Sequence, residues 1–144
     1  MEPTTMDISL EKKIGFRIHL SGEKLKLSSL MIKKGYYNDS IIYSYLSLFY
    51  SVRALLITQD EDSDDYSRIH DLMEKFYQPT GWTGIDIVGI IRETREFKEK
   101  VESDPGTRIT REEAEKFNKS ASAVLSQIAK RFQVLSDTQT PPSV

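Results

Sequence analysis

The chain has no cysteine, which removes disulfides, thiolate metal sites and cysteine nucleophiles together. It has only 2 histidines, at His19 and His70, and no His-x-x-x-His spacing, so it offers little to a transition metal. No glycine-rich phosphate loop is present; Gly81-Trp82-Thr83-Gly84 is a turn carrying an aromatic packing anchor rather than a Walker element. No apolar h-region follows the polar Met1–Met6 stretch, and with the missing cysteine this fits a reducing cytoplasm. The net charge of −2 argues against a broad nucleic-acid-binding face but leaves room for a small basic pocket.

The most unusual absence is local. From Ser40 to Gln59 the chain carries one charge, Arg53, in a protein that is 29% charged overall. Such a segment is buried on most of its circumference, and its lone cation needs a partner, a solvent route or a function. Its length would cross a membrane, but four serines, a threonine, three tyrosines and Arg53 point to a central helix of a bundle, with no membrane involved.

At 144 residues the chain suggests one domain. Residues 1–7 are expected to be a flexible N-terminus, residues 8–135 the folded body, and residues 136–144, with two prolines, a disordered tail. Ile14, Phe16, Ile18 and Leu20 alternate as in a strand, so the first helix is placed over about 22–34, behind a less regular lead-in. Lys33-Lys34-Gly35 makes a good helical end.

Asn38, Asp39 or Ser40 then caps the charge-poor helix, whose broad apolar face is Ile42, Tyr45, Leu46, Phe49, Val52 and Leu56. The run Asp60–Asp65 closes it as a solvated acidic loop, lacking the glycine and terminal glutamate of a calcium loop. Ile69, Leu72, Met73 and Phe76 mark a short third helix, followed by a turn at Gln78-Pro79-Thr80-Gly81. Thr83 with Asp86 is expected to cap a fourth, which carries Ile87, Ile90, Ile91, Thr94, Phe97 and Val101 and ends before Asp104-Pro105-Gly106. Thr110 and Glu113 form a capping box for the last helix, where Ala114, Phe117, Ala121, Val124, Ile128 and Leu135 step by threes and fours. The fold class is all-α, a bundle of about five helices.

Candidate site residues are few. Arg53 is read first as a structural arginine with a buried stem and a paired head, and second as a phosphate-binding cation in a groove. His70 lies one residue off an apolar stripe, where a boundary role competes with a general base titrating near neutrality. Arg92 and Arg95 are interleaved with Glu93 and Glu96, so intrahelical pairing explains them and phosphate reading is the alternative.

Lys33-Lys-Gly-Tyr-Tyr-Asn-Asp-Ser40, followed by Tyr45-Leu-Ser-Leu-Phe-Tyr-Ser-Val-Arg-Ala-Leu-Leu56, resembles the HEPN domain family (higher eukaryote and prokaryote nucleotide-binding). His70 and the Arg92-Glu-Thr-Arg95 stretch match a histidine in the family's next helix and its arginine-containing fourth helix. The resemblance spans roughly residues 8–135, but only the 35–56 block is specific. It implies an antiparallel up-and-down bundle, a homodimer with a cleft between protomers, and work alongside RNA or nucleotides. It also implies the setting of ribonuclease toxins whose antitoxin is a small nucleotidyltransferase.

Those toxins place an arginine ahead of a histidine with four to six residues between them, and need no metal. Here positions 12–14, ahead of His19, are Lys, Lys and Ile, and positions 63–65, ahead of His70, are Ser, Asp and Asp. The expectation is therefore a non-catalytic, dimeric module without cofactor or metal. It would act with a nucleotidyltransferase-like or toxin–antitoxin partner and bind a nucleotide or partner through Arg53, His70, Arg92, Arg95 and Tyr45. The alternative is a metal-independent RNase using a dispersed Arg53/His70 site.

Overall fold

The computed structural model describes residues 8–77 and 85–139, with side chains for 9–77 and 85–132. Its elements are α1 (Ile8–Lys34), α2 (Tyr37–Ile57), α3 (Tyr66–Tyr77), α4 (Ile87–Ser103) and α5 (Arg111–Gln139). The described residues contain no strand. The fold is the expected all-α bundle, and all four other helices pack on α2. By length and composition alone α2 could span a bilayer, but 72% of its most apolar window is buried inside the bundle.

The strand-like alternation at Ile14–Leu20 is overturned: these residues belong to one continuous helix, α1. Its buried stripe is Ile14, Arg17, Ser21 and Ser28, with Ile18 and Leu25 packed beside it, and these residues step by threes and fours. Phe16, second in the alternating set, is 59% exposed. The pattern was hidden because half of this stripe is polar.

The two serines of this stripe are met by α2, whose Ser40, Ser44, Ser47 and Ser51 are all fully buried. Ser21 Oγ donates to the Ser47 carbonyl at 2.7 Å and meets Ser51 Oγ at 2.7 Å. Ser28 Oγ lies 2.9 Å from Ser40 Oγ and 2.8 Å from Ser44 Oγ. Small side chains let the two backbones approach, and hydroxyl pairing removes the cost of burying them. On α2 the serines are thus more deeply buried than Ile42 and Leu46, which the apolar-face reading placed inward and which are only half-buried.

α1 ends as expected. Gly35 takes φ 84°, and its N–H donates to the Ile32 carbonyl while the Tyr36 N–H donates to the Met31 carbonyl. This is a Schellman closure, for which glycine avoids the Cβ penalty.

α2 then starts earlier than expected, at Tyr37, with Tyr36 as a cap that makes no side-chain hydrogen bond. Asn38 is not its cap. Its amide donates to the Thr107 carbonyl and accepts from the Ile109 N–H, each at 2.9 Å, tying α2 to the α4–α5 loop.

Asp86, rather than Thr83, caps α4, accepting from the Gly89 N–H at 2.9 Å. Thr83 and the turn at 78–81 lie outside the described residues. The Thr110–Glu113 capping box forms in both directions, at 2.9 Å and 3.0 Å. α5 runs on to Gln139, so residues 136–139 are helical rather than part of the expected tail; residues 1–7 and 140–144 lie outside the described set.

Candidate functional site

α2, α3 and α4 bring four of the five candidate residues into one cluster. Tyr45 sits on the α2 face that α3 covers, and its Oη lies 3.1 Å from His70 Nε2 on α3. The two rings are stacked 6.1 Å apart, and Tyr66 meets Tyr45 edge-on at 5.3 Å. Arg92 and Arg95 project from α4 at the rim, where Arg92 Nη2 donates to Glu74 at 2.6 Å. Arg95 donates to Glu99 at 3.1 Å and to Ser67 Oγ at 3.3 Å.

Electrostatics follow from this placement. Burial pushes His70 down, Arg95 and Arg92 push it further, and it settles at about 4 despite Glu74 and Glu99. Burial likewise raises the Tyr45 hydroxyl well above its usual range, against the pull of Arg95. Near pH 7 both partners of the Tyr45–His70 hydrogen bond are neutral.

A cation missed by the sequence reading completes this cluster. Lys98 is 6% exposed, with Nζ 4.8 Å from the Tyr66 ring centre and 5.3 Å from that of Tyr45. It donates to Glu102 at 2.8 Å, an i,i+4 pair. The signal was present: Ile87, Ile91, Thr94 and Lys98 form the buried stripe of α4, so a lysine falls on an inward position.

Arg53 belongs to a second cluster. Its Nε donates to Asp62 Oδ1 at 3.2 Å, and its guanidinium lies 5.3 Å from the Phe49 ring centre and 6.0 Å from that of Tyr50. Arg17, from α1, donates to both Asp62 oxygens at 2.9 Å. Asp62 comes from the Asp60–Asp65 run, so that run is not merely solvated: one of its members binds α1 and α2 together. Burial pushes the Asp62 carboxyl up, but hydrogen bonding and charge from Arg17, then Arg53, outweigh it and hold the group at about 2. Phe49 links the clusters, since it stacks with Tyr45 at 6.2 Å and carries the Arg53 guanidinium on its ring.

His19 is exposed on α1, and Trp82 lies outside the described residues. Among the described residues no group of three or more His, Asp or Glu is arranged to hold a metal ion.

Comparison with known proteins adds two findings. The HEPN domain model matches residues 17–131, which include both clusters. A protein of Methanocaldococcus jannaschii named "Putative toxin MJ0142" is 23% identical over 110 residues, covering 76% of this chain and 75% of the relative.

Proposed function

The chain belongs to the HEPN domain family, and we propose that it serves as a non-catalytic, dimeric helical module. In this reading it works in the cytoplasm with a nucleotidyltransferase-like or toxin–antitoxin partner. The observation that carries the proposal is the state of His70. Its Nε2 is taken up by Tyr45 and its pKa lies at about 4. A base that weak is about a thousandfold less basic than one poised at pH 7, and it is scarcely protonated there to serve as an acid. Both arginines beside His70 also have a carboxylate partner within the fold: Arg92 with Glu74 and Arg95 with Glu99. The toxin-named relative supports a toxin–antitoxin setting.

The rival reading is the metal-independent RNase with a dispersed site. It draws support from Arg92 and Arg95 beside His70, but Arg53 stands in the other cluster. Light scattering at high micromolar concentration tests the dimer: a mass twice the 16.6 kDa protomer is expected, and a strict monomer overturns it. Co-purification with the product of the neighbouring gene tests the partner.

A further inference from the structure

Three cations converge on one carboxylate where α1, α2 and the loop between α2 and α3 meet. Asp62 Oδ1 accepts from Arg17 at 2.9 Å, Arg53 at 3.2 Å and the Ser63 N–H at 2.9 Å. Oδ2 accepts from Arg17 at 2.9 Å, which leaves the Lys13 ammonium 3.9 Å away. Two oxygens are too few for this set of donors, and one negative charge does not balance three positive ones.

The imbalance is built in. The Arg17 and Arg53 side chains are only 11% and 13% exposed, so neither swings out to water. The rings of Phe49 and Tyr50 further hold the Arg53 guanidinium. The other acids of the loop do not correct it. Glu61 pairs with Arg68 at 3.6 Å, and Asp65 accepts from the Ser67 and Arg68 N–H groups at the start of α3. Asp60 and Asp64 are exposed and form no ion pair with these cations.

We propose that Lys13, Arg17 and Arg53 form a phosphate-binding site which the Asp62 carboxylate fills in the resting chain, and that a ligand phosphate group takes its place. A tetrahedral phosphate matches the donors better than a carboxylate does. Two terminal oxygens satisfy the Arg17 fork, the third meets Arg53, and in a polyphosphate an oxygen of the adjoining phosphate reaches the underserved Lys13. The displacement leaves the end of α2 intact: Asp60, at φ 59°, and Glu61 close that helix through N–H bonds to the Ile57 and Leu56 carbonyls, and the movement falls on the largely exposed residues 62–65 beyond them. Tethered Asp62 competes at an effective concentration on the order of millimolar, so single phosphates bind weakly and polyphosphates displace it. The proposal uses no residue of the Tyr45–His70 cluster, so its failure leaves the non-catalytic reading intact.

Calorimetric titration with pyrophosphate, and with ATP in parallel, tests it on wild type, Asp62→Asn and Asp62→Asn/Lys13→Ala. Asp62→Asn is expected to bind at least about tenfold tighter than wild type, and adding Lys13→Ala is expected to weaken that binding by about tenfold. The melting temperature of Asp62→Asn, lowered by its unpaired cations, should rise more in pyrophosphate than in potassium chloride of equal ionic strength. Equal affinity for the two ligands assigns recognition to the phosphates alone. Tighter ATP adds nucleoside contact at the same site. Should Asp62→Asn not fold, Lys13→Glu in the otherwise unchanged chain is expected to abolish the pyrophosphate-specific thermal shift. The proposal is overturned by a folded Asp62→Asn that binds no tighter than wild type, by a thermal shift that chloride reproduces, or by a shift that survives Lys13→Glu.

Discussion

Tyr45 Oη and His70 Nε2 are joined at 3.1 Å, with their rings only 12° from parallel. Tyr45 is fully buried and His70 half-buried, so the pair connects the core of α2 to the inner edge of α3. Two arginines stand nearby on α4, but each has its own carboxylate. The arrangement fixes a neutral histidine in place rather than poising it for proton transfer.

His70 titrates at about 4 in the folded chain, against 6.5 for an unperturbed histidine, so between these values the unfolded state binds more protons. Its contribution to stability is complete above pH 6.5 and is lost as pH falls towards 4. Asp62 acts in a lower window: its contribution is present above 3.8 and disappears as pH falls to about 2. Urea unfolding across pH should show both windows. His70→Gln is expected to flatten the upper one and Asp62→Asn the lower. NMR titration of His70 should place its midpoint near 4, and a midpoint above 6 contradicts this account.

The serine contact between α1 and α2 should not tolerate bulk. Ser21 is fully buried with its hydroxyl between Ser47 and Ser51. Ser21→Val overfills that crossing and leaves the Ser47 and Ser51 hydroxyls without their partner. A loss of about 1–3 kcal/mol is expected in urea unfolding. Ser29→Val, on the exposed side of α1, should cost far less.

Asn38 ties the start of α2 to the segment entering α5. Asn38→Ala removes both 2.9 Å bonds and leaves the N–H of the buried Ile109 without its acceptor. A destabilisation of about 1–3 kcal/mol is expected, with faster amide exchange at Ile109 as its local signature. Asn38→Asp keeps the acceptor but not the donor, and should retain the Ile109 protection while losing the bond to Thr107.

Much of this architecture was readable where local chemistry decides it. Gly35 stops α1, Asp104-Pro105-Gly106 follows the end of α4, and Thr110 with Glu113 starts α5, each through interactions within a few residues. Reading failed where distant contacts decide. The full length of α1 was obscured because Arg17, Ser21 and Ser28 occupy inward positions that distant partners make favourable: Asp62, the α2 serines and Asn118 on α5. Three cap-type residues, Asn38, Asp39 and Ser40, suggested the start of α2, yet Asn38 is committed to the α4–α5 loop and Ser40 to Ser28. Arg53 was recognised as needing a partner, but nothing local marked Asp62 among the five acids of the 60–65 run, or Arg17, 36 positions earlier in the chain, as the residues it would share a site with.

In the function proposed for this chain, the His70 cluster carries out no chemistry of its own. Incubating end-labelled RNA with wild type and His70→Ala, in the presence of a metal chelator and near pH 7, tests this most directly. The account predicts no cleavage above background by either folded protein. Cleavage by wild type that His70→Ala abolishes would contradict it and restore the RNase reading.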